Sequence, residues 1–337
     1  MDYPFTGNRK EPTTYAKDHK FQPGVDLTLP DFYQSTPEMV NAVNVALLMN
    51  MPLLLTGEPG SGKTQLAYRV AWELGFKEPL KFETKSTSNA KDLFYIFNTL
   101  ARFQAAQPGQ KKNLAGAEFI SYQALGEAIL LANKPGTVQH ILPADFQHDG
   151  PKRSLVLIDE IDKAPRDFPN DILNEIENMY FKIPELAMDM DKDLKKVVAP
   201  DEYKPVVLIT SNSEKQLPDA FLRRCVFHHV EFPNYDRMTQ IITTRLGKLI
   251  HNQTEFIDDA LDLFYELRKP DTGLVKKPAT SELLVWIKSL RTMTDASITN
   301  PLRPVDETRL FLGILIKNVE DRDTAAKKVS EWIKTRQ

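Results

Sequence analysis

The sequence predicts a layered α/β domain built on a parallel sheet, followed by a small all-helical domain. Three observations lead there. Short apolar, β-branched runs ended by polar residues, LLLT (53–56), SLVLID (154–159) and PVVLITSN (205–212), suit buried parallel strands. Apolar residues recur at helical spacing between such runs: Met39, Val40, Val43, Ala46 and Leu47 before the first, and Phe168, Ile172, Leu173, Ile176 and Met179 between the other two. After Pro233 the strand signals stop, and amphipathic stretches take over at about 236–250, 258–268, 281–291, 306–318 and 323–334.

Taken in order, residues 1–34 are polar and proline-containing without periodicity, which predicts a leader that is extended or wraps another surface. STPE offers a capping box from Ser35 to Glu38, which opens the first helix. The α/β core then covers 35–233, with its boundary in the turn FPNYD. The helical domain covers 234–337 and is held by faces such as Leu283, Leu284, Ile287 and Leu290.

Composition narrows the function. A chain of 337 residues, 42% hydrophobic and 26% charged, is long enough for two packed domains. A formal net charge of −3 and a pI near 6.1 exert no global pull toward nucleic acid or an anionic membrane, so neither is the default partner. The N-terminus has no apolar segment behind a basic start, and the longest apolar region, VNVALLMNMPLLL, is interrupted by Asn44 and Asn50. A cytoplasmic protein is expected. The single cysteine, Cys225, excludes an internal disulfide and a cysteine metal site, and reads as a reduced structural thiol.

The most informative stretch is Gly57-Glu58-Pro59-Gly60-Ser61-Gly62-Lys63-Thr64, which fits G-x-x-x-x-G-K-[ST] without a gap. The glycines let the backbone turn so that successive N–H groups face phosphate oxygens; Lys63 reaches the terminal phosphates, and the Thr64 hydroxyl binds Mg²⁺. The preceding apolar strand and the following stripe of Leu66, Ala67, Val70, Ala71 and Leu74, ending near Gly75, supply the required strand-loop-helix setting.

LVLIDEIDKAP supplies the partner site. An apolar strand delivers Asp159 at its end, where a carboxylate can hold the Mg²⁺ shell, and Glu160 beside it can polarise an attacking water. Phosphotransfer needs no second carboxylate, so the pair favours hydrolysis. Asp162 reads as a surface or helix-capping residue. VVLITSNSEK ends a strand in Thr210, Ser211 and Asn212, and a neutral amide there can orient the water. LPDAFLRRCVF places Arg223 and Arg224 after a short helical pattern.

In this order the motifs resemble those of the AAA+ ATPases, and within them the MoxR-like branch. LLLTGEPGSGKT stands as Walker A, LVLIDEIDKAP as Walker B, VLITSN as sensor 1 and LPDAFLRRC as the arginine-finger region. ISYQALGEAILLAN, ILNEIENMYFKIPEL and KPATSELLVWIKSLR carry the likeness to the branch. The resemblance implies a P-loop AAA+ core with a helical lid, and a homo-oligomeric ring, usually a hexamer, with ATP and Mg²⁺ between subunits. It implies an arginine donated across the interface, with Arg224 aligning best and Arg223 as the alternative. It further implies a protein client, such as one with a von Willebrand factor A domain or a metalloenzyme awaiting maturation. A nucleotide-gated scaffold, for example in a bacterial defence system, is the other reading; a nucleic-acid translocase has no basic tract behind it. The branch carries inserts matching about 91–117 and 183–205, in which Phe94, Tyr95 and Phe97 are candidates for pore contact or for the core. Where many relatives carry a sensor 2 arginine the chain reads Thr280-Ser281-Glu282, with Glu282 as the equivalent; Arg291 and Arg303 are the candidate substitutes.

Two further patterns carry no metal chemistry. DMDKD (189–193) alternates acidic residues like a calcium loop, but Leu194 sits where glycine is needed and Pro200 where a bidentate glutamate is needed. His228 and His229 are adjacent, so on a strand they point opposite ways and form no zinc pair.

Overall fold

The computed structural model describes residues 29–105, 116–186, 196–247, 249–251, 253–294, 297–303 and 311–336. The DMDKD stretch lies outside them. Contacts divide the chain into two units, Ser35–Phe232 and Pro233–Gln337 joined by the described stretch before Ser35.

The first unit opens with α1 (Pro37–Met49). Its cap is Thr36, whose Oγ1 accepts from Met39 N at 3.3 Å, and not Ser35 as the capping-box spacing suggests. Pro37 explains the shift: a proline without an N–H fits the first helical position, which makes the residue before it the cap. Strand β1 (Leu53–Thr56) follows, then α2 (Lys63–Glu73) and β2 (Leu80–Glu83). Strands β5 (Leu155–Asp159), β8 (Val206–Ser211) and β9 (Val226–His229) complete a five-stranded sheet in the order β2-β5-β8-β1-β9, parallel throughout. The three inner strands are buried at every position, which is why they read as unbroken apolar runs. The edge strands β2 and β9 alternate in exposure and are silent to that signal.

Two antiparallel hairpins decorate this sheet. Strand β3 (Tyr95–Phe97) pairs with β4 (Ile120–Tyr122), and β6 (Tyr180–Lys182) pairs with β7 (Lys196–Val198). Phe181 joins them, its ring 5.7 Å from that of Phe94, 6.2 Å from Tyr95 and 6.1 Å from Tyr122. Glu185 fastens the same junction by accepting from Tyr95 Oη at 2.6 Å and Lys91 Nζ at 2.9 Å. Phe94 and Tyr95 are therefore buried core residues, 4% and 1% exposed, and are not available to a pore. Phe97 is half-buried beneath the Arg102 guanidinium. Exposed apolar side chains here, among the described residues, include Ile96 and Val198, and Leu100 and Phe103 of α3 (Thr99–Ala105).

Helix α4 (Ala124–Ala132) runs buried between this decoration and the sheet, contacting β2 and β5. A Cβ on Gly126 would stand 2.0 Å from the Phe94 carbonyl oxygen. Gly→Ala inside a helix ordinarily stabilises by about 1 kcal/mol. Here overpacking reverses the sign: Gly126→Ala is expected to cost at least about 2 kcal/mol, read as a lower urea midpoint at unchanged slope.

The stretch from Phe168 is broken into two short helices, Phe168–Asp171 and Leu173–Asn178, with Met179 closing the second in the left-handed region at φ 44°. Phe168, Ile172, Ile176 and Met179 are all buried, so the spacing reported the burial correctly while the helix is interrupted.

The second unit holds α5 (Tyr235–Leu246), α6 (Thr254–Arg268), α7 (Thr280–Met293) and α8 (Arg322–Lys334). Asn234 caps α5 by accepting from Arg237 N at 3.0 Å. Met238, Ile242, Phe264, Trp286, Ile287, Leu290 and Val329 are fully buried within it. Of the helix expected at 306–318 the described residues show Leu312–Leu315, since 304–310 lie outside them. Gln34 belongs to this unit: its Nε2 donates to Thr244 Oγ1 at 2.7 Å and its carbonyl accepts from Arg237 at 3.1 Å. Among the described residues no helix is long and apolar enough to cross a membrane.

Candidate functional site

The carboxyl ends of β1, β5 and β8 lie side by side, and the site is built there, where parallel sheets of this kind place their ligands. From β1 the chain enters 57–62 with Gly57, Gly60 and Gly62 at φ 147°, 76° and 95°, values that L side chains resist. Gly57 is doubly constrained, because a Cβ there would meet the Val230 carbonyl oxygen at 2.4 Å. Gly62 caps α2, so the free N–H groups of that helix face the loop it closes. Two buried polar atoms at its start, Ser61 Oγ and Gln65 Oε1, have no hydrogen-bond partner within the protein. Buried polar groups normally find one, and the Ser61 hydroxyl can donate to a phosphate oxygen in the cradle, whereas the Gln65 oxygen, itself an acceptor, gains nothing from a phosphate.

Lys63 is 5% exposed, and its Nζ donates to the carbonyls of Gly57 at 2.8 Å and Glu58 at 2.9 Å. Burial lowers its pKa from the usual lysine value, against the opposing pull of Asp162, Asp159, Glu160 and Glu58. Thr64 Oγ1 donates to Asp159 Oδ1 at 2.9 Å. The two residues assigned to a metal are therefore in direct contact, and a buried carboxylate with a hydroxyl is the hard oxygen set that Mg²⁺ takes.

Asp159 is held from every side. Thr210 Oγ1 donates to its Oδ1 at 2.7 Å, and Lys81 Nζ stands 3.0 Å from its Oδ2. Burial alone would raise the pKa of this carboxyl; the hydrogen bonds from Thr210, Lys81 and Thr64 outweigh it and hold the group below the ordinary aspartate value.

Glu160 adopts φ 57°, ψ 52°, the left-handed region, as the chain leaves β5. Its N–H donates to Thr210 Oγ1 at 2.8 Å, which fixes the turn. Asn212 Nδ2 donates to Glu160 Oε1 at 3.0 Å, and Lys163 pairs with the other oxygen. The expectation for Asp162 is corrected: it is 2% exposed, and its Oδ2 accepts the N–H groups of Asn212 at 3.1 Å and Glu214 at 3.0 Å. It ties the end of β8 to the turn after β5.

Arg223 and Arg224 are exposed, and Arg224 pairs with Glu177 at 2.9 Å and donates to the Ala220 carbonyl at 3.0 Å. In the helical unit Glu282 accepts from Ala279 N at 2.8 Å and so caps its own helix, α7. Arg303 is committed to Glu255 at 2.6 Å and Asp259 at 3.1 Å, while Arg291 Nη1 is buried without a hydrogen-bond partner. His229 Nδ1 lies 3.0 Å from Thr56 Oγ1, and among the described residues no cluster of metal-ligating side chains forms. Cys225 is partly buried, which pushes its thiol up to about 12.

Sequence reasoning missed Lys81, Lys163 and the part played by Thr210. Thr210 stands in VLITSN, one residue pair from Asn212, and the strand-end signal could have found it. Nothing in the sequence brings Lys81 to Asp159; only the pairing of β2 with β5 does.

A strand, a glycine-turned loop capping a helix, and two acidic residues at the end of β5, one strand over from β1 across β8, define a P-loop nucleotide-binding ATPase fold. Residues 53–234 match the family model described as "ATPase family associated with various cellular activities (AAA)", which is more than half of the chain, and the protein belongs to that family. Among solved structures it is similar to a RuvB variant from Thermotoga maritima (14% identity over 87% of this chain and 67% of that one, TM-score 0.38). It is likewise similar to the Thermotoga maritima RuvB Holliday junction branch migration motor (13%, 87% and 67%, TM-score 0.36). A third is Hsp104 with ATPγS and FITC-casein in a closed state (16%, 69% and 41%, TM-score 0.37). No curated protein matches the chain.

Proposed function

We propose that the protein hydrolyses ATP as a ring of identical subunits and uses the cycle to remodel a protein partner. The observation that carries this reading is the Glu160 carboxylate, placed next to the Thr64 and Asp159 pair and hydrogen-bonded by the Asn212 amide. The N–H groups of 57–62 and of the first turn of α2 would cradle the phosphates, and Lys63 would exchange its loop carbonyls for their oxygens. Thr64 and Asp159 would hold Mg²⁺, which supplies charge neutralisation on the phosphates when bound. Glu160 would take the proton of the attacking water, and Asn212 would keep carboxylate and water aligned. Arg224, or Arg223, is exposed and so open to a neighbouring subunit, where it would stabilise charge developing at the reacting phosphate.

The MoxR-like motifs support a protein client, such as one with a von Willebrand factor A domain or an immature metalloenzyme. Ile96, Leu100, Phe103 and Val198 are exposed insert side chains, among the described residues, open to it. A second reading, a nucleotide-gated scaffold with slow turnover, is favoured by Glu282, which caps α7 in the place of a phosphate-sensing arginine.

ATP hydrolysis per subunit, measured against protein concentration, separates the two. A rate that rises with concentration and is lost in Arg224→Ala and Arg223→Ala together supports a site completed by a neighbour. A concentration-independent rate no higher than that of the double variant places the scaffold reading ahead.

A further inference from the structure

Asp159 is 8% exposed, and a carboxylate so removed from water is costly unless a cation stands beside it. Its Oδ1 is occupied by the hydroxyls of Thr64 and Thr210, neither of which carries charge. The cation in direct contact is Lys81 on β2, whose ammonium lies 3.0 Å from Asp159 Oδ2, while the Lys63 ammonium, committed to loop carbonyls, acts on it from further off. The same ammonium lies 2.8 Å from Glu83 Oε1, two residues along the strand on the same face. Lys81 is thus shared between a buried carboxylate and an exposed one. A divalent cation on Asp159 would set two further positive charges against that ammonium, and like charges at this range repel. Glu83 offers it a second seat a small side-chain movement away.

We propose that Lys81 is a stand-in cation for Asp159, seated on the carboxylate while the divalent ion is away and passed to Glu83 when the ion binds. The ion-free site is then already neutralised, and metal and lysine compete for one oxygen. The proposal rests on the reading of Asp159 as the metal-holding carboxylate.

The competition makes predictions of opposite sign for two partners of one ion pair. The readout is the coupling between Mg²⁺ and nucleotide: the ratio of the Kd of a fluorescent ADP analogue in EDTA to that in saturating Mg²⁺. Lys81→Met removes the competitor, and the ratio is expected to rise about fivefold. Glu83→Gln removes the second seat and is expected to lower it by about threefold, because the ammonium then stays on Asp159. Lys81→Arg keeps the charge and should stay near the parent value. A lysine that merely orients Asp159 for the metal would give the reverse result with Lys81→Met, a fall in the ratio, and that overturns the proposal; so does a ratio unmoved in both variants. Asp159→Asn separates the two layers of the argument. If it leaves the coupling intact, the reading of Asp159 itself is wrong; if it abolishes the coupling while Lys81→Met fails to raise it, only the stand-in is.

Discussion

Glu160→Gln is expected to leave ATP binding within about twofold of the parent and to cut phosphate release by at least about a hundredfold, the scale of a lost general base. The substitution is nearly isosteric, and the amide oxygen of glutamine can still accept from Asn212 Nδ2, so the turn after β5 keeps its hydrogen bond. What it loses is basicity, together with the ion pair to Lys163. That pair is well exposed on both sides, at 45% and 38%, and pairs of this kind contribute about 1 kcal/mol or less, so the melting temperature should barely move. The split between binding and turnover is the diagnostic. Nucleotide affinity by fluorescence and hydrolysis by phosphate release, on the same preparation, check it. Retention of a third or more of the parent rate would move the base elsewhere in the site and remove the role given to Glu160.

How much of this site was legible in the sequence depends on how local each signal is. Strands β1, β5 and β8 were legible because burial on both faces turns them into unbroken apolar runs, and the loop after β1 because a phosphate cradle needs its glycines at fixed spacing. Asp159, Glu160 and Asn212 follow, since Asp159 ends β5 and the other two are the first residues beyond β5 and β8. The edge strands and the hairpins were not, because strands of three or four residues with exposed positions give neither an unbroken apolar run nor a period long enough to read. Phe94 and Tyr95 illustrate the cost: exposed or buried was undecidable until Phe181, more than eighty residues away, packed against both rings. Lys81 and Asp162 fail for the same reason. Each acts on a group from another strand, and that adjacency is set by the order of the sheet.

Asp162→Ala is expected to be the most damaging of the substitutions outside the phosphate loop. The carboxylate sits at 2% exposure and accepts two backbone N–H groups through one oxygen, those of Asn212 and Glu214. Between them is Ser213, held at φ 61°, a conformation that costs a non-glycine residue and persists only where its surroundings impose it. Its own N–H goes to Ser211 Oγ at 3.0 Å, so three consecutive amides of this loop are captured by side chains. Hydrogen bonds to a charged acceptor contribute about 1.5–3 kcal/mol each, and removal of the acceptor leaves both donors without a partner. The loss should be about 3–5 kcal/mol, a fall in melting temperature on the order of 10 °C for a unit of this size. Asp162→Asn keeps an acceptor oxygen of the same shape and should lose about half as much. The functional consequence follows from the same hydrogen bonds: with the loop released, Asn212 no longer presents its amide to Glu160 at 3.0 Å, and hydrolysis should fall by about tenfold or more. Differential scanning calorimetry and steady-state hydrolysis well below the transition test the two halves. A melting point within about 2 °C of the parent would mean that the loop after β8 holds itself without Asp162. A full parent rate in a destabilised variant would mean that the aim of Asn212 is set by β8 alone.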